Sequence, residues 1–149
     1  MTLHRQKGIA ALEFTLILPV MLLLIYATGE FGRLLYQYNV LTQLTRDAAR
    51  YVTQPTSDTS GVVNLTDALI SRTRNVLVYG KETVGTTPLL NGLSSSDITI
   101  SEVSTGVIAI SVNYNWTPIL GDRMPTFGLG EDIDLSFNLR TEYAMRALL

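Results

Sequence analysis

Apolar and polar positions divide this chain into three parts. From Ile9 to Gly29 apolar residues run almost without a break (IAALEFTLILPVMLLLIYATG), and Glu13 is the one charge among them. Past Gly29 the run gives way to steps of three and four: Phe31, Leu34, Leu35, Tyr38, Leu41, Thr45, Ala48, Ala49 and Val52, with Arg33, Gln37, Gln43, Asp47 and Arg50 between them. That is the period of an amphipathic helix. No Pro or Gly interrupts residues 33–54, so one helix is predicted from Ile9 to Thr53, about 68 Å long at ~1.5 Å per residue. Glu30 with Arg33, and Asp47 with Arg50, have i,i+3 spacing, which contributes a few tenths of a kcal/mol per pair.

Residues 54–64 are rich in Pro, Ser, Thr, Asp and Gly and read as a loop. A second helix is predicted from Thr66, as N-cap, to Tyr79, with Gly80 as the stop. Its apolar side is Leu69, Ile70, Val76, Leu77 and Tyr79, and Arg72 and Arg74 face water. Residues 80–97 read as loop. The remainder alternates with the period of strands. Ile98, Ile100 and Val103 form one strand, Ser104-Thr105-Gly106 a turn, and Ile108, Ile110, Val112, Tyr114 and Trp116 the returning strand. After a loop bracketed by Pro118 and Pro125, Ile133, Leu135, Phe137 and Leu139 predict a third. The economical architecture is α+β: a long N-terminal helix packed on a small antiparallel sheet, with one extra short helix. The distal helix stripe covers the sheet, and its proximal part, around Phe31 and Leu34, is left for a partner.

The apolar run is the membrane candidate. Phe14 to Gly29 gives 16 uncharged residues, about 24 Å of helix, short of the ~30 Å hydrocarbon core. Gly8 to Gly29 gives 22, about 33 Å, which spans it and places Glu13 inside the bilayer. Pro19 lies mid-span, where it frees the Thr15 carbonyl and can kink the helix. Arg5 and Lys7 precede the run, whereas Glu30 and Arg33 cancel after it. The positive-inside rule therefore puts residues 1–8 in the cytoplasm and the bulk of the chain outside.

Composition narrows the chemistry. The chain has 149 residues, 46% of them hydrophobic and 16% charged, with no Cys, one His and a net charge of −2. Without Cys there is no disulfide or thiolate site, and a single His4 makes neither a His-based metal cluster nor a Ser-His-Asp triad within one chain. No basic field for nucleic acid exists. The sequence therefore predicts no catalytic, cofactor-binding or metal-binding residue. Glu131, Asp132 and Asp134 offer oxygen ligands for a hard cation, but a solvated loop is the simpler reading. Asn64-Leu65-Thr66 and Asn115-Trp116-Thr117 have the glycosylation spacing, which matters only in a eukaryotic secretory route.

Three readings of the N-terminus compete. A cleavable secretory signal could be cut after Ala27 or Gly29. A plain signal anchor accounts for all but Glu13, an acid that costs on the order of 2.5–3.5 kcal/mol at the bilayer midplane and less near the interface. A prepilin-type start has a short basic leader ending in Gly and an acid five residues into the mature chain, as in Lys7-Gly8-Ile9-Ala10-Ala11-Leu12-Glu13-Phe14.

Residues 8–52 also resemble a known family. Gly8-x-Ala10-Ala11-x-Glu13-Phe14, Leu18-Pro19, Glu30-Phe31-Gly32-Arg33, Tyr38, and Leu41-Thr42 through Asp47-Ala48-Ala49-Arg50-Tyr51 are together similar to the TadE-like segment of tight-adherence (Flp-type) pilus systems. The resemblance implies a minor pseudopilin with a type IV pilin-like fold, acting in pilus assembly or priming and so in adhesion and biofilm formation. It implies no enzyme and no cofactor. It implies cleavage between Gly8 and Ile9 by a prepilin peptidase, and a recognition and assembly role for Glu13 and Phe14. The implied partners are other minor pseudopilins, the major pilin and the inner-membrane assembly platform. Ile9 stands where type IV prepilins usually have Phe, and Phe14 after Glu13 is nearer the Flp pattern. The chain is longer than the major Flp pilin, which favours a minor subunit.

The resulting organisation is a leader at 1–8, a transmembrane helix at 9–29 of the bacterial inner membrane, its periplasmic continuation at 30–53 and a periplasmic α+β domain at 54–149. Phe31, Leu34, Leu35, Tyr38 and Leu41 form the predicted helix interface. The rival reading is a membrane-anchored or secreted extracytoplasmic binding module, which needs neither Gly8 nor Glu13.

Overall fold

The computed structural model describes residues 3–54, 64–119 and 121–146, with side chains from Gly8 onward. Most of the predicted loop at 54–64 lies outside the described residues. The architecture is the α+β, pilin-like layout. Helix α1 spans Leu3–Thr53 in 51 residues, with Pro19 inside it. It begins upstream of the predicted Ile9 start and ends at the predicted residue. Helix α2 spans Asp67–Tyr79. Thr66 caps it by accepting a hydrogen bond from the Leu69 amide at 3.2 Å. Gly80, at φ +71°, ends it and donates its N–H to the Val76 carbonyl. A left-handed stop of that kind favours glycine.

Two compact units divide the chain. One holds α1 through Leu35 together with Thr117–Ser136; the other holds Tyr36–Trp116 and the chain from Phe137 onward.

The second unit contains the sheet. Strands β1 (Ile98–Ser104) and β2 (Val107–Asn115) form the predicted hairpin, with Gly106 at φ +74° in its turn. Two short strands, β3 (Arg123–Met124) and β4 (Ile133–Asp134), pair only with each other and belong to the first unit. Strand β5 (Asn138–Arg146) completes the sheet in the antiparallel order β1-β2-β5. The predicted third strand over Ile133–Leu139 is thus corrected. Asp134 accepts hydrogen bonds from both the Ser136 amide and the Ser136 hydroxyl. After a last backbone bond from the Leu135 amide to the Asp122 carbonyl that turn ends the pairing, and the sheet strand begins at Asn138.

Pairing of Ile98 with Val112, Ile110 with Tyr143 and Val112 with Thr141 aligns one face across all three strands. Ile98, Ile108, Ile110, Val112 and Tyr114 are buried on that face, as the period-2 alternation predicts. Against it lies the distal part of α1, whose Leu41, Thr45, Ala48, Ala49 and Val52 are buried. The small residues let the helix come close to β5. The Thr45 hydroxyl donates to the Leu41 carbonyl at 2.7 Å and lies 2.9 Å from the Thr141 hydroxyl. Thr45 has one proton and spends it on a carbonyl that can only accept, so Thr141 is the donor between the two hydroxyls. Further along, the Thr53 hydroxyl donates to the Ala49 carbonyl and Arg46 lies 5.8 Å from the Tyr143 ring centroid.

Helix α2 buries Thr73, Leu77 and Val78. Arg72 is exposed as predicted, but Arg74 is half-buried, a correction that follows from its place one position past the buried Thr73. The predicted 80–97 loop is irregular yet packed. It buries Leu90 and Leu93, supplies the Asn91 carbonyl that accepts from the Tyr114 hydroxyl at 2.7 Å, and closes with a 3-10 turn at Ser95–Asp97. Trp116 is buried and stacks on Phe137 with centroids 5.0 Å apart.

Candidate functional site

The functional candidates lie along α1, Gly8 to Leu35 in the first unit and Tyr38 and Leu41 in the second. Gly8, Ile9, Glu13 and Phe14 are all exposed on one uninterrupted helix. Among the described residues a Cβ added at Gly8 meets nothing within 4 Å. Among the described residues nothing pairs with the Glu13 carboxylate. An i,i+4 step of about 6 Å separates Glu13 from the backbone nitrogen of Ile9, along a helix whose side chains lean toward its N-terminus. Pro19 is half-buried and the helix runs through it unbroken. Residue 15 fills the neighbouring turn, its hydroxyl donating to the Ala11 carbonyl at 2.8 Å. The helix carries an 18-residue window of mean hydropathy 2.4, none of it buried, long and apolar enough to cross a membrane.

Just past the apolar run two charged side chains do something their spacing did not suggest. Read as an i,i+3 pair, Glu30 and Arg33 would face each other. Instead the Glu30 Oε1 accepts the Ile119 amide at 2.9 Å, and the Arg33 Nη1 donates to the Thr117 carbonyl at 3.0 Å. Among the described residues the ion pair within 4 Å is Arg140–Glu142, so neither Glu30–Arg33 nor Asp47–Arg50 closes. Glu30 is only 5% exposed. Strand β2 ends before Pro118, which cannot donate to a ladder, and the chain turns along the helix where these two side chains take up its free backbone groups. Sequence reasoning missed this clamp. Its one signal was a pair of charges at the end of an apolar run, and nothing in the pattern said which backbone they would meet.

The predicted helix interface is divided by the fold. Leu41 is fully buried and Leu34 half-buried, whereas Phe31, Leu35 and Tyr38 are exposed, the first two at 59% and 57%. Gln37, placed on the wet side by its polarity, is buried, and Arg33 is half-buried. At ~100° per residue, Phe31, Leu35 and Tyr38 lie roughly 60–120° around the helix from Leu41, while Glu30 and Gln37 fall close to its line.

The acidic residues near β4 act as turn caps. Asp132 Oδ1 accepts the Thr126 amide, and Asp134 accepts from Ser136. The Ser136 hydroxyl and then its amide hold the Asp134 carboxyl below its ordinary range, with Arg123 adding to the effect. Among the described residues no group of three or more ligating side chains is poised for a metal ion.

No curated protein and no solved structure matches the chain. The family model described as TadE-like protein matches residues 8–50, from the predicted cleavage site through the apolar run, the Glu30–Arg33 clamp and the buried distal stripe, so this segment is similar to the TadE-like proteins.

Proposed function

We propose that the chain is a minor pseudopilin that acts in assembly or priming of a tight-adherence pilus, and so in surface adhesion and biofilm formation. Its TadE-like segment associates it with the tight-adherence pilus system, whose members of this family are structural components. In this reading residues 1–8 are a cytoplasmic leader, residues 9–29 cross the bacterial inner membrane, and residues 30–149 are periplasmic. Arg5 and Lys7 ahead of the apolar run support that orientation. A prepilin peptidase cuts after Gly8. The partners are other minor pseudopilins, the major pilin and the assembly platform.

Glu13 is the observation that carries the reading. It is a carboxylate on an apolar helix with no partner among the described residues, and such a charge is costly in lipid unless something neutralises it. Cleavage after Gly8 creates an amine at Ile9. On a neighbouring helix staggered by about one turn, that amine meets Glu13, neutralises it and fixes the axial register of the two subunits.

The test is Glu13→Gln, which keeps shape and removes charge. Immunoblots read membrane insertion and cleavage, and electron microscopy counts surface pili. Insertion and cleavage persist and piliation falls sharply if Glu13 docks a neighbour's amine. Normal piliation with normal cleavage makes Glu13 an acid reaching to the headgroups, and loss of insertion refutes the membrane assignment.

A further inference from the structure

The segment Thr117–Ser136 has no task in the reading above. It shares a compact unit with α1 through Leu35, and the Glu30 and Arg33 bonds hang it at the outer end of the apolar run. Beyond β3 its tip, residues 125–132, is tied internally. The Thr126 hydroxyl donates to the Gly130 carbonyl at 2.6 Å, the Leu129 amide donates to the Thr126 carbonyl at 3.1 Å, and Asp132 takes the Thr126 amide at 3.3 Å. This ordered tip holds two large apolar side chains outward, Phe127 at 46% and Leu129 at 61% exposure. Phe127 also sits at φ +53°, a left-handed conformation that is an outlier for a bulky residue. Ile119 and Ile133 are exposed on the same segment, although Met124, Thr126 and Leu135 are buried in it. The segment has an interior and still turns its largest side chains out.

We propose that this ribbon is a bilayer-contact element, whose tip lays Phe127 and Leu129 into the headgroup–acyl boundary of the leaflet from which the helix emerges at Glu30. The proposal rests on the membrane reading of residues 9–29. Lipid is the occupant because the ribbon is tied to the helix at Glu30 and Arg33 and forms one compact unit with it, which holds its exposed apolar side chains close to the leaflet once the helix spans. The tether makes the contact intramolecular and removes the need for charge attraction. Charge would oppose it, since Asp122, Glu131, Asp132 and Asp134 outnumber Arg123. The depth is limited by the backbone. Among the described residues Arg123 with Asp134 and Met124 with Ile133 pair in the ribbon and the Leu135 amide donates to the Asp122 carbonyl, which leaves most of its peptide groups without a ladder partner, and unpaired peptide groups do not enter the hydrocarbon core. The tip therefore lies in the interface and sends only side chains deeper.

The chain has no cysteine, so single substitutions carry one nitroxide each. Leu22→Cys, Leu129→Cys and Val103→Cys are placed in full-length protein in phosphatidylcholine vesicles, and relaxation by oxygen is compared with relaxation by an aqueous nickel chelate. Leu22 reports the apolar run and Val103, an exposed position of the second unit, reports water. The oxygen-to-nickel ratio at Leu129 is expected several-fold above that at Val103 and below that at Leu22. Adding phosphatidylglycerol lowers the Leu129 ratio, because the ribbon is acidic. Phe127→Asn, which suits the positive φ and removes the ring, lowers it as well. A Leu129 label as water-accessible as Val103 beside a lipid-embedded Leu22 overturns the ribbon proposal alone. A Leu129 label shielded from both reagents overturns it in favour of a protein contact. A Leu22 label in water overturns the membrane reading and the proposal together.

Discussion

Leu41→Ala tests how the distal helix holds the second unit together. Leu41 is fully buried on α1 and shares that unit with the β1-β2-β5 sheet. The next turn is locked by the hydroxyl bonds that link Leu41, Thr45 and Thr141, so the site has little freedom to collapse around a lost isobutyl group. Leu→Ala at such positions costs about 2–5 kcal/mol, the upper part of the range applying where the cavity persists. For a domain of about 100 residues even the lower figure depresses Tm by roughly 8 °C. Leu35→Ala is the control, because 57% exposure leaves little to lose, and about 0.5 kcal/mol bounds its effect. The chain has one tryptophan, Trp116, buried against Phe137 in the same unit as Leu41. Its fluorescence during thermal unfolding of the full chain in detergent micelles therefore reports this unit. Leu41→Asp should be more damaging than Leu41→Ala, since an unpaired charge is added to the cavity. Equal shifts for Leu41→Ala and Leu35→Ala, or native stability in a chain that starts at Thr56, would refute the packing argument.

Three further expectations follow from particular contacts. Glu30→Ala leaves the part-buried Ile119 amide without its acceptor, which costs about 1–3 kcal/mol for a donor left unsatisfied. Hydrogen exchange at Ile119 should quicken, less so in Glu30→Gln, and unchanged exchange would remove the clamp from the account. Asp134 has its folded pKa lowered by Ser136, so its contribution is full above the ordinary carboxylate range and is lost as pH falls through the folded value. Ser136→Ala should move the Asp134 titration, read by NMR, up toward the ordinary value, and an unmoved titration contradicts the assigned cause. Gly8→Ala should slow or block cleavage; because the added methyl meets nothing within 4 Å among the described residues, the effect belongs to the peptidase subsite, and normal cleavage would argue against recognition of Gly8.

Local rules carried most of the architecture. The end of α1, the Thr66 cap, the Gly80 stop and the β1–β2 hairpin follow from period, cap and turn chemistry, all set by neighbours in sequence. The error at Ile133–Leu139 has a physical origin. Alternation reads the same in one strand as in two short segments, and the break depends on an Asp134–Ser136 turn that periodicity does not see. The extension of β5 to Arg146 was hidden because Thr141, Tyr143 and Met145 alternate too weakly to declare a buried face. Along α1, apolar residues at three and four steps form more than one stripe. Which stripe is buried depends on what packs there, hence the burial of Glu30 and Gln37 and the exposure of Phe31 and Leu35. Of the candidate site, the helix bearing Gly8, Glu13 and Pro19 was legible. The use of Glu30 and Arg33 as backbone acceptor and donor was not, because their partners lie more than 80 residues away.

The central claim is that residues 8–50 are a processed pilin-type helix. N-terminal sequencing of the protein purified from membranes of cells making pili tests it most directly. The account predicts a mature chain beginning at Ile9, with Glu13 at its fifth position. A chain beginning at Glu30, with the apolar run removed as an ordinary secretory signal, would contradict it.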